Sequence, residues 1–317
     1  MNSIVTGGAG FIGSHLCEKL LKESHEVYCI DNFSTSNESN ISQFKKNKHF
    51  HLIHEDVLNY KNTLDKVDAI FHLASPASPN HHSNISYHAL AEETMLVNTT
   101  GTWRLLEIAR QKNASFLFAS TSEIYGDPKV HPQPESYNGN VSTTGPRAVY
   151  DEAKRFGETI TSFFSRTKGV NVRIARIFNT YGPRMLKEDM RMSVNFILQA
   201  LAGKPITVFG DGKQTRSLCY VDDTVDGLYK LMFIPNAKGE IINIGSPEEH
   251  TVLEYAQIIK KLTQSSSEII LSESLPQDDP LKRKPDISKA KQLIAWEPKI
   301  TLEEGLTKMI EYIRQTS

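Results

Sequence analysis

The chain has 317 residues, 39% of them hydrophobic, so we expect a sizeable core in one large unit or two closely joined ones. Its formal net charge of -1 excludes the broad basic surface of a nucleic-acid-binding protein. The three cysteines lack CxxC spacing, which argues against a disulfide framework and a zinc site.

The start of the chain predicts no targeting segment. The first apolar run begins almost at Met1, which leaves no room for a signal peptide. No apolar run reaches the ~20 residues that a membrane helix needs. We therefore expect a cytoplasmic protein with no membrane, nucleic-acid or metal partner.

The first predicted elements are a strand, a glycine turn and a helix. Gly7, Gly10 and Gly13 fit GxxGxxG, while Gly8 with Gly10 and Gly13 fits GxGxxG. Glycine allows the tight turn and the close approach of a pyrophosphate, which the N-terminus of the next helix attracts. Either pattern alone is weak, and a purely structural turn stays an alternative.

The second predicted strand ends at an acidic residue. Asp31 follows Gly13 by eighteen positions, where a dinucleotide-binding fold places the carboxylate that accepts hydrogen bonds from the adenosine ribose. A carboxylate repels a 2′-phosphate, and no arginine occurs at positions 32–35. NAD is therefore favoured over NADP.

Later strands and helices alternate along the chain. Strands are predicted at 27–31, 51–53, 68–75, 115–119, 172–177 and 240–244, and helices at 90–111, 150–168, 221–231, 252–263 and 302–314. Residues 34–48 read as a loop with a short surface helix. This alternation predicts an α/β fold, a doubly wound parallel Rossmann sheet with a smaller discontinuous C-terminal substrate domain.

We divide the chain accordingly. Residues 1–178 with 217–245 are predicted to form the NAD-binding domain, and 179–216 with 246–317 the nucleotide-sugar-binding domain. Asp56 ends the third strand, where it either contacts adenine or lies in water. His72 lies in an apolar run, so a buried core histidine is favoured over a ligand.

The main catalytic motif is YxxxK, formed by Tyr150 and Lys154. Four residues on a helix place both side chains on one face, so the ammonium lies near the phenol. A phenol with a pKa near ~10 is a poor base, but the adjacent cation and a positive nicotinamide ring favour the phenolate. Tyr150 then accepts the proton of a hydroxyl that loses hydride to NAD.

Together these features resemble the extended short-chain dehydrogenase/reductase superfamily. Within its NAD-dependent epimerase/dehydratase family, the chain is most similar to the UDP-glucuronate decarboxylase (UDP-xylose synthase) group. The similarity spans nearly the whole chain and is carried by HLASPASP (72–79), TSEIYGDP (121–128), HPQ (131–133), GPRAVYDEAKR (145–155), RIFNTYGPRM (176–185), GDGKQTRS (210–217), YVDD (220–223) and RKPDI (283–287).

The resemblance implies the reaction. NAD takes a hydride from C4 of a UDP-hexuronate, the resulting β-keto acid loses CO2, and the same cofactor reduces C4 again to give a UDP-pentose. Related 4,6-dehydratases carry Asp-Glu where this chain has Ser122-Glu123. CO2 loss needs no acid for a leaving hydroxyl, so a serine at that position fits decarboxylation.

The resemblance also implies the site residues. The catalytic residues are Tyr150, Lys154, Glu123, Ser122, Thr121 and Arg283. The cofactor contacts are Gly7, Gly10, Phe11, Ile12, Gly13, Asp31, Asn32, Asp56, Val57, Leu73, Ala74, Ser75, Asn98, Tyr150 and Lys154. The substrate contacts are Arg147, Asn179, Arg191, Phe209, Arg216 and Arg283, the last holding the carboxylate. A core aromatic remains the alternative for Phe209, and a surface charge the one for Arg283.

The chain departs from the group near the expected sugar pocket. Asn138 stands where a tryptophan is usual, residues 142–144 replace Asn-Pro-Ile, and the loop after Pro79 is longer. A smaller side chain at 138 suggests room for UDP-N-acetylglucosaminuronate as an alternative substrate.

Three other functions stay open at this point. A nucleotide-sugar 4-epimerase shares the oxidation step but has no reason to keep Glu123 and Arg283, and a dehydratase is disfavoured by Ser122. A non-catalytic NAD sensor usually loses Tyr150 or Lys154, which are both present. By resemblance we also expect a homodimer, paired through helices 90–111 and 150–168.

Overall fold

The computed structural model describes residues 1–272, 274 and 279–316. The strands are β1 (Asn2–Thr6), β2 (Glu26–Asp31), β3 (Phe50–His54), β4 (Ala69–His72), β5 (Ser115–Thr121), β6 (Val172–Ile177), β7 (Thr180–Tyr181), β8 (Ile206–Val208), β9 (Thr215–Arg216), β10 (Cys219–Tyr220), β11 (Ile241–Ile244), β12 (His250–Thr251) and β13 (Ile269–Leu271). The helices are α1 (Phe11–Lys22), α2 (Ala91–Leu96), α3 (Thr102–Lys112), α4 (Ala148–Lys168), α5 (Met192–Leu201), α6 (Val221–Phe233), α7 (Val252–Thr263), α8 (Ser288–Ile294) and α9 (Leu302–Thr316).

A seven-stranded sheet forms the centre of the molecule. Its strand order is β11-β6-β5-β4-β1-β2-β3, and every neighbouring pair is parallel. The order reverses between β1 and β4, where a doubly wound sheet opens a crevice at the carboxyl ends of its strands. The predicted parallel Rossmann sheet is confirmed.

Helices cover both faces of this sheet. Helices α1 and α6 pack together on one face, and α3 and α4 pack together on the other. The central strands β1, β4 and β5 are buried on both sides, which explains their continuous apolar runs. The loops that follow the carboxyl ends of the strands therefore all face one edge, and the chemistry-bearing motifs lie there.

Some local details differ from the sequence-based expectation. The predicted helix 90–111 is interrupted by a π-helical turn, Val97–Gly101, between α2 and α3. Helix α5 was not predicted, because its residues are apolar on most sides and show no clear alternation of faces. It packs against α7, which covers the apolar surface that would otherwise face water.

The remaining chain forms a smaller lobe. It contains the paired strands β7–β10, β9–β12 and β8–β13, with α5, α7 and α9 around them. The predicted second range, 246–317, includes residues 273, 275–278 and 317, which lie outside the described residues. The division into two discontinuous domains stays a prediction. Within the described residues, no helix is both long and apolar enough to cross a bilayer.

Asp223 in α6 joins the last third of the chain to the cofactor lobe. Its Oδ2 accepts hydrogen bonds from the backbone N–H of Lys299 at 3.0 Å and of Ile300 at 2.9 Å. We expect Asp223→Ala to lower the free energy of unfolding by about 2 kcal/mol, because two partly buried N–H groups lose a carboxylate acceptor.

Urea unfolding followed by circular dichroism measures this loss. The matched control is Asp226→Ala on the same helix, whose half-exposed pair with Lys230 contributes only about 0.5 kcal/mol. Equal urea midpoints for the two variants would contradict the role given to Asp223.

Candidate active site

A cavity lies at the carboxyl ends of the central strands and collects most of the predicted site residues. Those that line it are Gly7, Gly10, Phe11, Ile12, Gly13, Asp31, Asn32, Asp56, Val57, Leu73, Ala74, Ser75, Thr121, Ser122, Glu123, Tyr150, Lys154, Asn179 and Arg191. Five others lie outside the lining although the structure describes them, namely Asn98, Arg147, Phe209, Arg216 and Arg283. The first group extends from the glycine turn through Tyr150 and Lys154 on α4 to Arg191.

The glycine turn distinguishes the two possible patterns. Gly7 has φ +70° and lies against the Ala74 backbone, and a Cβ on Gly13 would collide with the Gly7 carbonyl oxygen. Gly8 instead faces the buried Cys29 sulfur and does not line the cavity. The GxxGxxG set therefore lets the turn pack tightly on its own backbone and on the residues that follow β4 where it lines the cavity, and such a cradle fits a pyrophosphate.

Asp31 lies at the edge of this cradle and is nearly buried. Its Oδ2 accepts a hydrogen bond from the Ala9 N–H at 2.9 Å, and its Oδ1 accepts from the Phe33 N–H at 2.9 Å and the Ser36 hydroxyl at 2.8 Å. These bonds fix the carboxylate at the end of β2, facing the cavity. A ribose with free hydroxyls suits this carboxylate, and a 2′-phosphate does not.

Asp56 is held in place rather than left in water. Its Oδ2 accepts from the Asn32 amide at 2.7 Å and its Oδ1 from the Leu58 N–H at 2.7 Å. Both Asn32 and Asp56 line the cavity beyond Asp31. The sequence left this carboxylate open between a solvated loop and a nucleotide contact, and the geometry favours the contact.

Two buried residues beneath the cavity are structural. The Asn98 amide donates to the Ser75 hydroxyl and to the Thr94 carbonyl, both at 2.8 Å, so Asn98 supports a lining residue and is not one itself. His72 bonds Thr6 through Nδ1 at 2.8 Å and the Val97 carbonyl through Nε2 at 3.2 Å. Burial lowers the pKa of His72 to about 3, and its interpretation as a core histidine is confirmed.

Helix α4 brings the YxxxK pair to the cavity. The Lys154 ammonium lies 5.7 Å from the Tyr150 ring centroid and donates to the Ala119 carbonyl at 2.8 Å. Both side chains are buried and line the cavity with Thr121. The predicted common face of the helix is present.

The protein by itself does not hold Tyr150 as the phenolate that Lys154 and a nicotinamide ring together are expected to favour. Burial raises the pKa of Tyr150 to about 12, and a hydrogen bond with Thr121 offsets only part of that rise. Burial also lowers the pKa of Lys154 to about 7, so its cation is weakened at neutral pH. The phenol is therefore protonated until another positive charge enters the cavity.

A buried ion-pair network borders the cavity behind Glu123. Arg147 Nη2 lies 2.5 Å from Glu123 Oε2, and Arg283 Nη1 binds Glu123 Oε1. Arg147 Nη1 and Arg216 Nη2 both reach Asp279, at 3.4 Å and 2.7 Å. The network explains why the three arginines lie outside the lining: each is turned toward a carboxylate.

This network settles the charge of Glu123. Burial alone raises the pKa of its carboxyl group, but Arg147 and Arg283 together lower the pKa to about 2. Glu123 is therefore a permanent carboxylate at neutral pH. Arg283 keeps one buried donor, Nε, without a hydrogen-bond partner among the described residues.

Three predicted substrate residues differ in their surroundings. Arg191 lines the cavity and pairs with Asp189 at 2.8 Å, and Asn179 lines it as well. Phe209 is half-buried and lies outside the lining, so both the packed aromatic and the stacking partner for uracil stay predictions.

The departure at position 138 does not enlarge the cavity. Asn138 is exposed and lies outside the lining, and its carbonyl accepts from Arg155 Nη1 at 2.6 Å. The structure therefore gives no support to the argument for room beside a 2-acetamido group, and that alternative substrate stays a prediction.

Sequence reasoning missed Tyr87, whose ring stacks on that of Tyr150. The ring centroids are 4.8 Å apart and the planes differ by 9°. The longer loop that carries Tyr87 is fixed to the smaller lobe, because Ser78 donates to the Asp189 carbonyl at 2.7 Å and Asn80 to the Met190 carbonyl at 2.9 Å. No local pattern signals such a contact, since it joins distant segments.

Comparisons with known proteins agree on the family to which this chain is similar. A model of the NAD dependent epimerase/dehydratase family matches residues 3–245. UDP-glucuronic acid decarboxylase 1 of Xenopus tropicalis is 49% identical over 98% of this chain and 72% of its own length. UDP-glucuronic acid decarboxylase 3 of Arabidopsis thaliana is 49% identical over 99% of this chain and 89% of its own length.

Solved structures are similar over their full length. UDP-glucuronic acid 4-epimerase from Bacillus cereus, in complex with UDP-glucuronic acid and NAD, is 32% identical, covers 100% of both chains and has a TM-score of 0.89. UDP-glucose 4-epimerase from Thermotoga maritima, with UDP-glucose, is 30% identical, covers 100% of this chain and 99% of its own, and has a TM-score of 0.87.

Proposed function

The chain belongs to the NAD-dependent epimerase/dehydratase family, and from this premise we propose that it converts UDP-glucuronate into UDP-xylose and CO2. Relatives at 49% identity over nearly the whole chain are UDP-glucuronic acid decarboxylases. One observation in the site supports decarboxylation best: Ser122 lines the cavity at the position where related dehydratases carry their acid, and the neighbouring Glu123 is held as a carboxylate by two arginines, so neither side chain supplies a proton to a leaving hydroxyl.

The first step needs a base for the C4 hydroxyl of the sugar. The Tyr150 phenol, buried and in contact with Thr121, is the group that lines the cavity at the right place for this proton. The glycine turn and Asp31 would hold NAD, which would accept and return the hydride and whose positive ring would add the charge that a buried phenolate needs. Lys154 and the Tyr87 ring fix the orientation of Tyr150.

The second step is loss of the carboxyl group. Oxidation at C4 makes the uronate a β-keto acid, so the C5–C6 bonding electrons move onto the C4 carbonyl as CO2 departs. The resulting enolate takes a proton from water at C5, which restores the C4 ketone for reduction. Arg283 is the cation assigned to the carboxylate, and it lies directly behind Glu123, which lines the cavity. Glu123 and Ser122 orient the sugar, and Tyr150 returns its proton to O4 when C4 is reduced. No net oxidation occurs.

The test is release of labelled CO2 from UDP-glucuronate carrying the label at C6. With NAD no more than equimolar to the protein, we expect many turnovers, formation of UDP-xylose and no accumulation of NADH. Oxidation without CO2 release, or no reaction with UDP-glucuronate, would contradict the proposal.

A second candidate function uses the same site residues as far as the 4-keto sugar. The Bacillus cereus 4-epimerase has the same fold over the full chain and binds UDP-glucuronic acid and NAD, so C4 epimerisation of that uronate is the competing activity. The same assay separates the two, because an epimerase yields UDP-galacturonate and leaves the C6 label in the sugar.

We also propose a homodimer formed through one apolar surface. Met95, Leu96, Trp103 and Phe156 are exposed, between 38% and 54%, on α2, α3 and α4, which pack against each other. Large exposed apolar side chains grouped on neighbouring helices favour burial against a second copy. The cytoplasmic location and the absence of a membrane partner stay predictions.

We expect Trp103→Glu with Phe156→Glu to give a monomer in sedimentation velocity, because two buried charges without partners oppose association. Val130→Glu is the control, since Val130 is 40% exposed in a loop away from these helices. A wild type that sediments as a monomer would contradict the dimer itself, and an unchanged dimer in the double variant would contradict this surface.

A further inference from the structure

Asp151, the residue after the catalytic tyrosine, is a buried acid that the mechanism above does not use. It lies in the first turn of α4 and is 5% exposed. Its Oδ1 has no hydrogen-bond partner within residues 1–272, 274 and 279–316. A buried ionised carboxylate needs cations or donors around it, so this orphaned oxygen requires an explanation.

The neighbouring cations are already engaged by other carboxylates. Arg283 and one nitrogen of Arg147 bind Glu123, and the other terminal nitrogen of Arg147 reaches Asp279. Glu123 is thus stabilised as an anion, and its charge repels a second anion at Asp151. Two nearby carboxylates that compete for the same arginines do not both ionise readily.

The pKa values of Asp151 and Glu123 agree with their hydrogen-bond partners. Burial, and after it the charge of Glu123, raises the pKa of Asp151 to about 8, whereas the pKa of Glu123 is lowered to about 2. The other charged groups that act on Asp151 are Arg147 and Glu152 on its own helix and Arg283 from the segment before α8. Tyr87 and Tyr150 also face it.

We propose that Asp151 works as a neutral acid, and that its protonation leaves the arginine network with the positive charge that attracts the carboxylate of the substrate. Three arginines, Arg147, Arg216 and Arg283, then face two carboxylates, Glu123 and Asp279. Ionised Asp151 would cancel the remaining positive charge. Asp151 is in this sense a positioning residue, since it acts through the arginines. The inference rests on the proposed uronate substrate.

Proton linkage makes the inference measurable. Entry of a carboxylate beside the network favours protonated Asp151, so binding of UDP-glucuronate near pH ~8 takes up a fraction of a proton. Calorimetry of the NAD-loaded protein in buffers of different ionisation enthalpy gives this number directly. We expect uptake of about half a proton in the wild type, because half of the Asp151 groups are ionised at that pH.

Asp151→Asn is the decisive variant, since an amide keeps the shape and cannot ionise. We expect proton uptake to disappear in it. Between about pH 7 and about pH 9, the wild-type Kd should rise about tenfold while the variant changes little, because Asp151 must take up a proton on binding only in the wild type. Glu152→Gln is the matched control, since Glu152 is 37% exposed beside Asp151 and pairs with Arg155.

UDP-glucose, with a hydroxymethyl group in place of the carboxylate, gives a test that needs no variant. The wild type should bind it with little proton uptake. Equal uptake for the two ligands, or equal uptake in wild type and Asp151→Asn, overturns the inference. If UDP-glucuronate binds with proton uptake but releases no CO2, the proposed function is contradicted and the inference about Asp151 is not. If UDP-glucuronate does not bind, the proposed function and the inference are both contradicted.

Discussion

Tyr150→Phe should lower the rate of CO2 release from UDP-glucuronate by about 10²–10⁴-fold, the usual contribution of a positioned general base. The change removes only the phenolic oxygen. The phenylalanine ring can keep the stack on Tyr87, whose centroid lies 4.8 Å from that of Tyr150. The loss should therefore appear in kcat, while the Kd values for NAD and UDP-glucuronate stay within about threefold of wild type.

The control for this variant is Tyr137→Phe. Tyr137 also stacks on a tyrosine, Tyr125, with 6.0 Å between centroids and 9° between planes, but it does not line the cavity. Loss of the Tyr137 hydroxyl group should leave the rate of CO2 release within about twofold of wild type. An undiminished rate in Tyr150→Phe would remove the central assignment of the mechanism.

Arg283→Ala should lower kcat/KM for UDP-glucuronate by about 10²–10³-fold, the scale seen when one preorganised charge-stabilising donor is removed. Arg283 is buried and binds Glu123, so the change takes a cation from both the substrate carboxylate and the residue that orients the sugar. Arg147 still binds Glu123 in the variant, which limits the structural damage.

Lys282→Ala is the matched control, because the adjacent lysine is exposed and carries the same charge. Steady-state assays of both variants, with thermal melting to verify folding, separate a site cation from a surface charge. Similar values of kcat/KM for the two variants would restore the alternative that the sequence left open for Arg283.

Part of this site could be predicted from the sequence, because it depends on short motifs. The glycine turn, Asp31 at the end of β2 and the Tyr150–Lys154 spacing each depend on a few consecutive residues, and the structure places them on one cavity. The strand and helix alternation predicted the parallel sheet for the same reason, since periodicity and handed connections are short-range properties. Helix α7 even has the predicted bounds, Val252–Thr263.

Only the tertiary structure decided the electrostatics of the site. The contact of Glu123 with Arg283 joins residues 160 positions apart, and the stack of Tyr87 on Tyr150 joins two separate segments, so no local pattern encodes either. Whether Asn138 faces the sugar or the solvent likewise depends on how a loop packs. The pKa of Tyr150 and that of Asp151 follow from burial and from distant charges, which spacing along the chain does not show, so only the fold reveals that both are raised in the protein by itself.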